Sequence, residues 1–129
     1  MNKYGLTAIQ AVEIIATGST SDPKVAWAIA ASNVFPDSKS SREKSCPKGA
    51  FLGLCEDGVV QGVPPGEYTS SHLNKRYARR ALDALKSSPG LVEDEAKLWE
   101  IAVEGVKKVT NNQMAVVTAL WRRGYLDPT

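Results

Sequence analysis

Residues 45–55 read SCPKGAFLGLC, and the fold turns on whether this stretch is a helix. Pro47 suits a first helical position, where the missing N–H would be unpaired in any case, and that places Cys46 at the N-cap. Asp57-Gly58 marks the stop. Phe51, Leu52 and Cys55 then fall at i, i+1 and i+4 of one face, with Cys55 acting as a small core hydrophobe. Cys46 and Cys55 are the only cysteines in the chain, and such a helix holds them about 13 Å apart along its axis. A disulfide needs Cα atoms within about 7 Å, so the helical reading excludes the bridge. Gly49 and Gly53, spaced i, i+4, leave room for a second backbone, either as a packing seam or as the floor of a ligand site.

Helical spacing continues on both sides of this stretch. Toward the N-terminus, Ile9, Val12, Ile15 and Ala16 share one face of a helix that Thr7 caps and Gly18 ends. Asp22-Pro23 is an N-cap followed by a first-turn proline. The helix it opens, from Val25 to about Val34, is apolar nearly all round, which predicts burial on several sides. Pro36 stops it, and the serine-rich segment 37–45 is expected to be a mobile loop. Toward the C-terminus, Val59 to Val63 is at most a very short strand, and Pro64-Pro65-Gly66 is a rigid turn. A strong helix spans 71–86 with a core stripe of Leu73, Tyr77, Ala81 and Leu85, flanked by Ala78 and Leu82. Glu93-Asp94-Glu95 opens another, with Leu98, Ile101, Ala102 and Val106 inward, Trp99 beside them and Lys107-Lys108 at its negative end. The last helix begins near Asn112, presents Met114, Val117, Leu120 and Trp121, and ends at Gly124. A frayed tail over 126–129 is expected.

The sum is an all-α chain of five or six helices with short connections, a compact bundle or orthogonal array. One domain over residues 1–129 is expected, since no linker or solenoid repeat divides it. The chain has 129 residues, 43% hydrophobic, with a formal net charge of +2. That charge is too small for a dedicated nucleic-acid binder. The apolar runs are too short for a membrane span, and no signal-peptide pattern opens the chain, so a cytoplasmic, bacterial protein is expected.

Three constellations are candidates for function. The first is a thiol site. A cysteine at a helix N-cap faces free N–H groups that favour thiolate, Lys44 and Lys48 add positive charge, and His72 would serve as base if the fold brought it to Cys46. Ser45-Cys46-Pro47-Lys48 also fits S-x-x-K, as does Ser41 to Lys44, but the companion S-D-N and K-T-G motifs are missing. The second is a basic patch of Lys75, Arg76, Arg79 and Arg80, four cations in six positions on the exposed side of their helix, able to hold phosphates. The acidic segment from Glu93 to Glu104 would instead neutralise it within the fold. The third is a protein-binding surface, with a partner protein or a second copy as occupant. A C-x8-C pair with one histidine is no recognised ligand set, so neither a metal nor a cofactor is expected.

The run SCPKGAFLGLCEDGVVQGVPPGEYT, followed by NKRYARRALDAL, resembles a small family of uncharacterised bacterial proteins. The similarity covers most of the chain, and residues 45 to 82 carry it best. It implies a compact bacterial-type domain and names no activity, cofactor or catalytic residue. From the residues themselves, a helical binding module is the leading expectation, with the thiol and anion readings as alternatives.

Overall fold

A computed structural model describes residues 2–127. Six helices of eight residues or more form the body: α1 (Lys3–Ala16), α2 (Pro23–Val34), α4 (Ser45–Glu56), α5 (His72–Ser87), α6 (Glu95–Ala102) and α7 (Gln113–Arg122). A single helical turn, α3 (Lys39–Arg42), lies between α2 and α4, and a 3-10 turn (Pro89–Glu93) lies between α5 and α6. The all-α expectation holds. The segment 59–63 contributes one isolated antiparallel bridge, Val60 to Leu126. Gln61 N–H donates to Tyr125 O at 2.8 Å and Asp127 N–H to Val59 O at 2.7 Å. Positions 126 and 127, expected to fray, are held by that bridge, while 128 and 129 lie outside the described residues.

Local chemistry explains where most helices begin. Asp22 caps α2, accepting from Lys24 N–H at 2.9 Å, with Pro23 in the first turn as the sequence predicts. Asn2, not Thr7, caps α1 by accepting from Tyr4 and Gly5 N–H. Thr7 is buried inside that helix, its hydroxyl donating back to Lys3 O at 2.8 Å, an alternative outlet for a mid-helix threonine. Segment 37–45 is more ordered in form than a plain loop. Ser38 caps α3 by accepting from Ser41 N–H, and Arg42 donates to the Phe35 and Pro36 carbonyls. α2 is buried on one side only, since Val25 and Ile29 are exposed while Trp27 is buried; it packs on α1, α3 and α4, which leaves its outer face to solvent.

α4 and α5 set the central architecture. Gly49 stands against Ser71 and Asn74, and Gly53 against Lys75; further along, Asp57 pairs with Lys75 and Arg79. The contacts ascend together in both segments, so the two helices run side by side in the same direction. The connection 57–71 therefore returns along α4 before α5 begins. The two glycines form the packing seam: a Cβ at position 53 would lie 2.6 Å from the Lys75 Cα.

α7 is the most enclosed element, buried at every residue from Gln113 to Leu120 and packed against α1, α4, α5 and α6. The sequence predicts a one-sided stripe there. Burial on all sides is possible because its polar side chains find partners. Gln113 donates to Asn74 Oδ1 at 3.0 Å and accepts from Asn111 N–H at 2.7 Å, and Thr118 donates to Glu95 Oε2 at 3.1 Å, which removes most of the penalty for burying them.

Candidate functional site

The thiol constellation is not assembled. Lys44, not Cys46, is the residue before the first turn of α4. Cys46 sits inside that turn and is half-buried, so the N-cap geometry that would present its sulfur to free N–H groups is absent. Among the described residues, no side-chain hydrogen bond joins Cys46, Lys48 and His72. His72 opens α5 and lines a surface groove that contains neither of the other two. Both cysteines are free, and Cys55 is fully buried, with burial pushing its thiol well above the usual range. Iodoacetamide at mildly alkaline pH is accordingly expected to modify Cys46 in the folded protein and spare Cys55 until denaturant is added. Mass spectrometry separates the two sites, and equal labelling of both in the native state would contradict this packing.

The basic residues are brought together on α5, but three of the four are already partnered. Lys75 binds Glu56 at 2.9 Å and Asp57 at 3.4 Å. Arg79 lies 3.8 Å from Asp57 and 3.6 Å from Asp83. Arg80 pairs with Glu104 at 2.6 Å and donates to Ala102 O at 3.2 Å. Arg76 alone of the four is exposed without an ion pair among the described residues. The neutralising carboxylates are Glu56 at the end of α4, Asp57 just past it and Asp83 on α5; the acidic segment 93–104 supplies only Glu104. With His72 and Asp57, the four cations line a shallow groove of about 290 Å³.

Glu56 is the structural keystone of this region. Its carboxylate accepts from Tyr68 N–H at 2.7 Å, Thr69 N–H at 2.8 Å and Lys75 Nζ at 2.9 Å. Burial acts to raise its pKa, but the amide donors and the ammonium outweigh that and hold it at about 2. The same contact raises the Lys75 pKa. One carboxylate thereby ties the C-terminal end of α4 to the returning connection and to α5. Nothing in the sequence marked Glu56, because its partners lie 12 to 19 positions away.

Beyond Arg80, a strap of residues 103–112 runs back along α5. Ala102 and Glu104 meet Arg80, Lys108 Nζ donates to the Tyr77 hydroxyl at 2.7 Å, and Gln113 reaches Asn74. Trp99, edge-on to Tyr77, donates to Lys108 O at 2.7 Å and fixes the strap from beneath. The sequence predicts helix as far as Lys107-Lys108. The chain instead leaves α6 at Ala102, because Glu104 and Gly105 adopt left-handed backbone conformations, φ 54° and 75°. The change turns Val106 and Val109 outward, 64% and 88% exposed, and leaves Lys107 exposed beside them. Leu73, expected in the core stripe, is 51% exposed. It lies one turn before Tyr77, past the polar Asn74–Gln113 contact that closes the core at that end.

At 100° per residue, Leu73, Arg76, Tyr77 and Arg80 fall within an arc of about 100° on α5. Leu73 and Arg76 therefore border the strap, while Lys75 and Arg79 turn toward α4. Among the described residues no three His, Cys, Asp or Glu side chains gather as a metal site, and no helix is long and apolar enough to cross a membrane.

The molecule is thus an all-α protein in which α5 carries the exposed Arg76 and Leu73 and the strap beside it the exposed Val106 and Val109. The chain belongs to a family of unknown function, DUF6979, matched over residues 1–127, as the resemblance to an uncharacterised family implied. No curated protein and no solved structure matches it.

Proposed function

We propose that this chain is a protein-binding module, acting in a bacterial cytoplasm, and that its working surface is the face shared by α5 and the 103–112 strap. One observation carries the reading. Leu73, Val106 and Val109 are among the few large apolar side chains left exposed; Leu73 lies on α5 with the unpaired Arg76, and the two valines lie in the strap that runs alongside it. Apolar residues grouped on a surface and rimmed by charge favour a macromolecular contact over solvent. Nucleic-acid binding draws less support, because three of the four cations on α5 are neutralised within the fold and few remain to displace counterions. Thiol chemistry draws less still, since Cys46 has neither a base nor a cap position to activate it.

The test compares the wild-type chain with a Val106→Asp/Val109→Asp double variant. Both positions are exposed, so thermal melts of the two proteins should coincide. Sedimentation across a concentration series and affinity capture should reveal a second copy or a partner bound to the wild type and released by the variant. A monomer whose captured proteins are identical in both forms would overturn the proposal.

A further inference from the structure

We infer that this face takes an acidic amphipathic segment of a partner protein, with apolar side chains seated on Leu73, Val106 and Val109 and carboxylates on Arg76 and Lys107. The inference rests on the reading of the face as protein-binding and adds the chemistry of what it binds. Charge provides the argument. Each carboxylate that lines or borders the groove is committed to cations of the same fold: Glu56 and Asp57 to Lys75, Asp57 and Asp83 to Arg79, and Glu104 to Arg80. Arg76 and Lys107 have no ion pair among the described residues. Lys108 directs its ammonium to the Tyr77 hydroxyl and over the ring, 5.0 Å from its centroid, with no carboxylate partner. The unspent charge around the apolar side chains is therefore positive. An approaching carboxylate gains attraction there without displacing an internal partner, whereas a cationic segment meets repulsion.

A second copy of the chain fits this face poorly. A second copy would bring the same unspent cations, Arg76 and Lys107, to the contact and no unspent carboxylate of this face. The chain's own acidic run is also occupied, for Glu93 pairs with Arg122, Asp94 caps α6 and Glu95 accepts from Thr118. A nucleic acid would use the cations and leave Val106 and Val109 facing solvent. The exposed positions are Leu73 and Arg76 in the first half of α5 and Val106, Lys107 and Val109 on the strap beside it, so a short helical or extended segment would cover them.

The probes are fluorescent peptides of about 16 residues, matched to α5 at ~1.5 Å per residue, titrated with the full chain and read by anisotropy. One alternates leucine and glutamate at helical spacing, a second carries lysine for each glutamate, and a third carries serine for each leucine. A single-stranded oligothymidylate is the fourth probe. The leucine–glutamate peptide is expected to bind tightest, and Arg76→Glu and Val106→Asp are each expected to weaken it by roughly tenfold. If the lysine peptide binds equally well and still depends on Val106, the acidic partner is overturned while the protein-binding reading stands. Tighter binding of the oligonucleotide, or no binding of any peptide, overturns the inference; the capture comparison with the double variant then decides the broader reading separately.

Discussion

Gly53→Ala is expected to destabilise the protein by about 2 kcal/mol, although alanine is the better helix former by about 1 kcal/mol. Two effects compete, and the geometry decides between them. The added Cβ would lie 2.5 Å from the Lys75 Cβ and 2.6 Å from its Cα. No rotamer change relieves a backbone contact, so α4 and α5 must separate. Overpacking of this kind costs typically 1–3 kcal/mol, occasionally more. Separation would also stretch the pairs that Lys75 makes with Glu56 and Asp57. The fall in Tm is expected to be on the order of 5–10 °C. Gly49→Ala should be milder, because its nearest neighbours are the side-chain atoms of Ser71. Gly90→Ala is the control: nothing lies within 4 Å of a Cβ there, and stability should hold or rise slightly. Urea denaturation measures all three. A Gly53→Ala midpoint equal to wild type would mean that α4 and α5 do not approach along this seam.

Glu56→Gln is expected to cost about 2–3 kcal/mol at neutral pH and to flatten the acid limb of the stability profile. The sign follows from the direction of the shift. The folded carboxyl has its pKa lowered from 4.5 to about 2, so folding favours the ionised form. That contribution is fully present above the unfolded value. It is lost progressively as pH falls through the folded one, and the shift is equivalent to about 3 kcal/mol. Lys75 acts at the opposite extreme. Its raised pKa supports the fold below its ordinary 10.5 and loses that support as pH rises further. Chemical denaturation from pH 2 to pH 7, in wild type and variant, checks the carboxyl. Parallel curves would show that Glu56 does not titrate with folding.

Regions with strong local signals were legible from the residues. Asp22-Pro23 started α2, Gly18 ended α1 in a left-handed conformation, and the i, i+4 glycines lay where another helix passes. The basic cluster was also found, as was the alternative that acids of the fold would neutralise it. Its partners were only partly found, since Glu56 and Asp57 at the end of α4 meet α5 only because the connection returns and sets the two helices side by side, a relation that spacing does not encode. The strap as far as Lys108 was read as helix because Val106 continues the period of Leu98 and Ala102. Periodicity reports which residues would share a face if the helix continued, and here left-handed Glu104 and Gly105 end it. Leu73 failed similarly: its spacing matched the stripe, but no element extends far enough to cover it. Apolar residues in core-like spacing also remain exposed on α2, at Val25 and Ile29, so spacing alone marks neither face.

The enclosed position of α7 bears on how the chain is made. A ribosome delivers residues from the N-terminus, at about 5–20 per second. Everything from α1 to α6 emerges before the helix that fills the space between α1, α4, α5 and α6. Until Met114, Val116, Val117 and Leu120 arrive, the apolar faces awaiting them are open to water. The nascent chain cannot lock into its native state stepwise, and folding must wait until α7 has emerged. A stop codon before position 113 would leave a product with a vacant centre, a substrate for chaperones and proteases and no smaller working version of the protein.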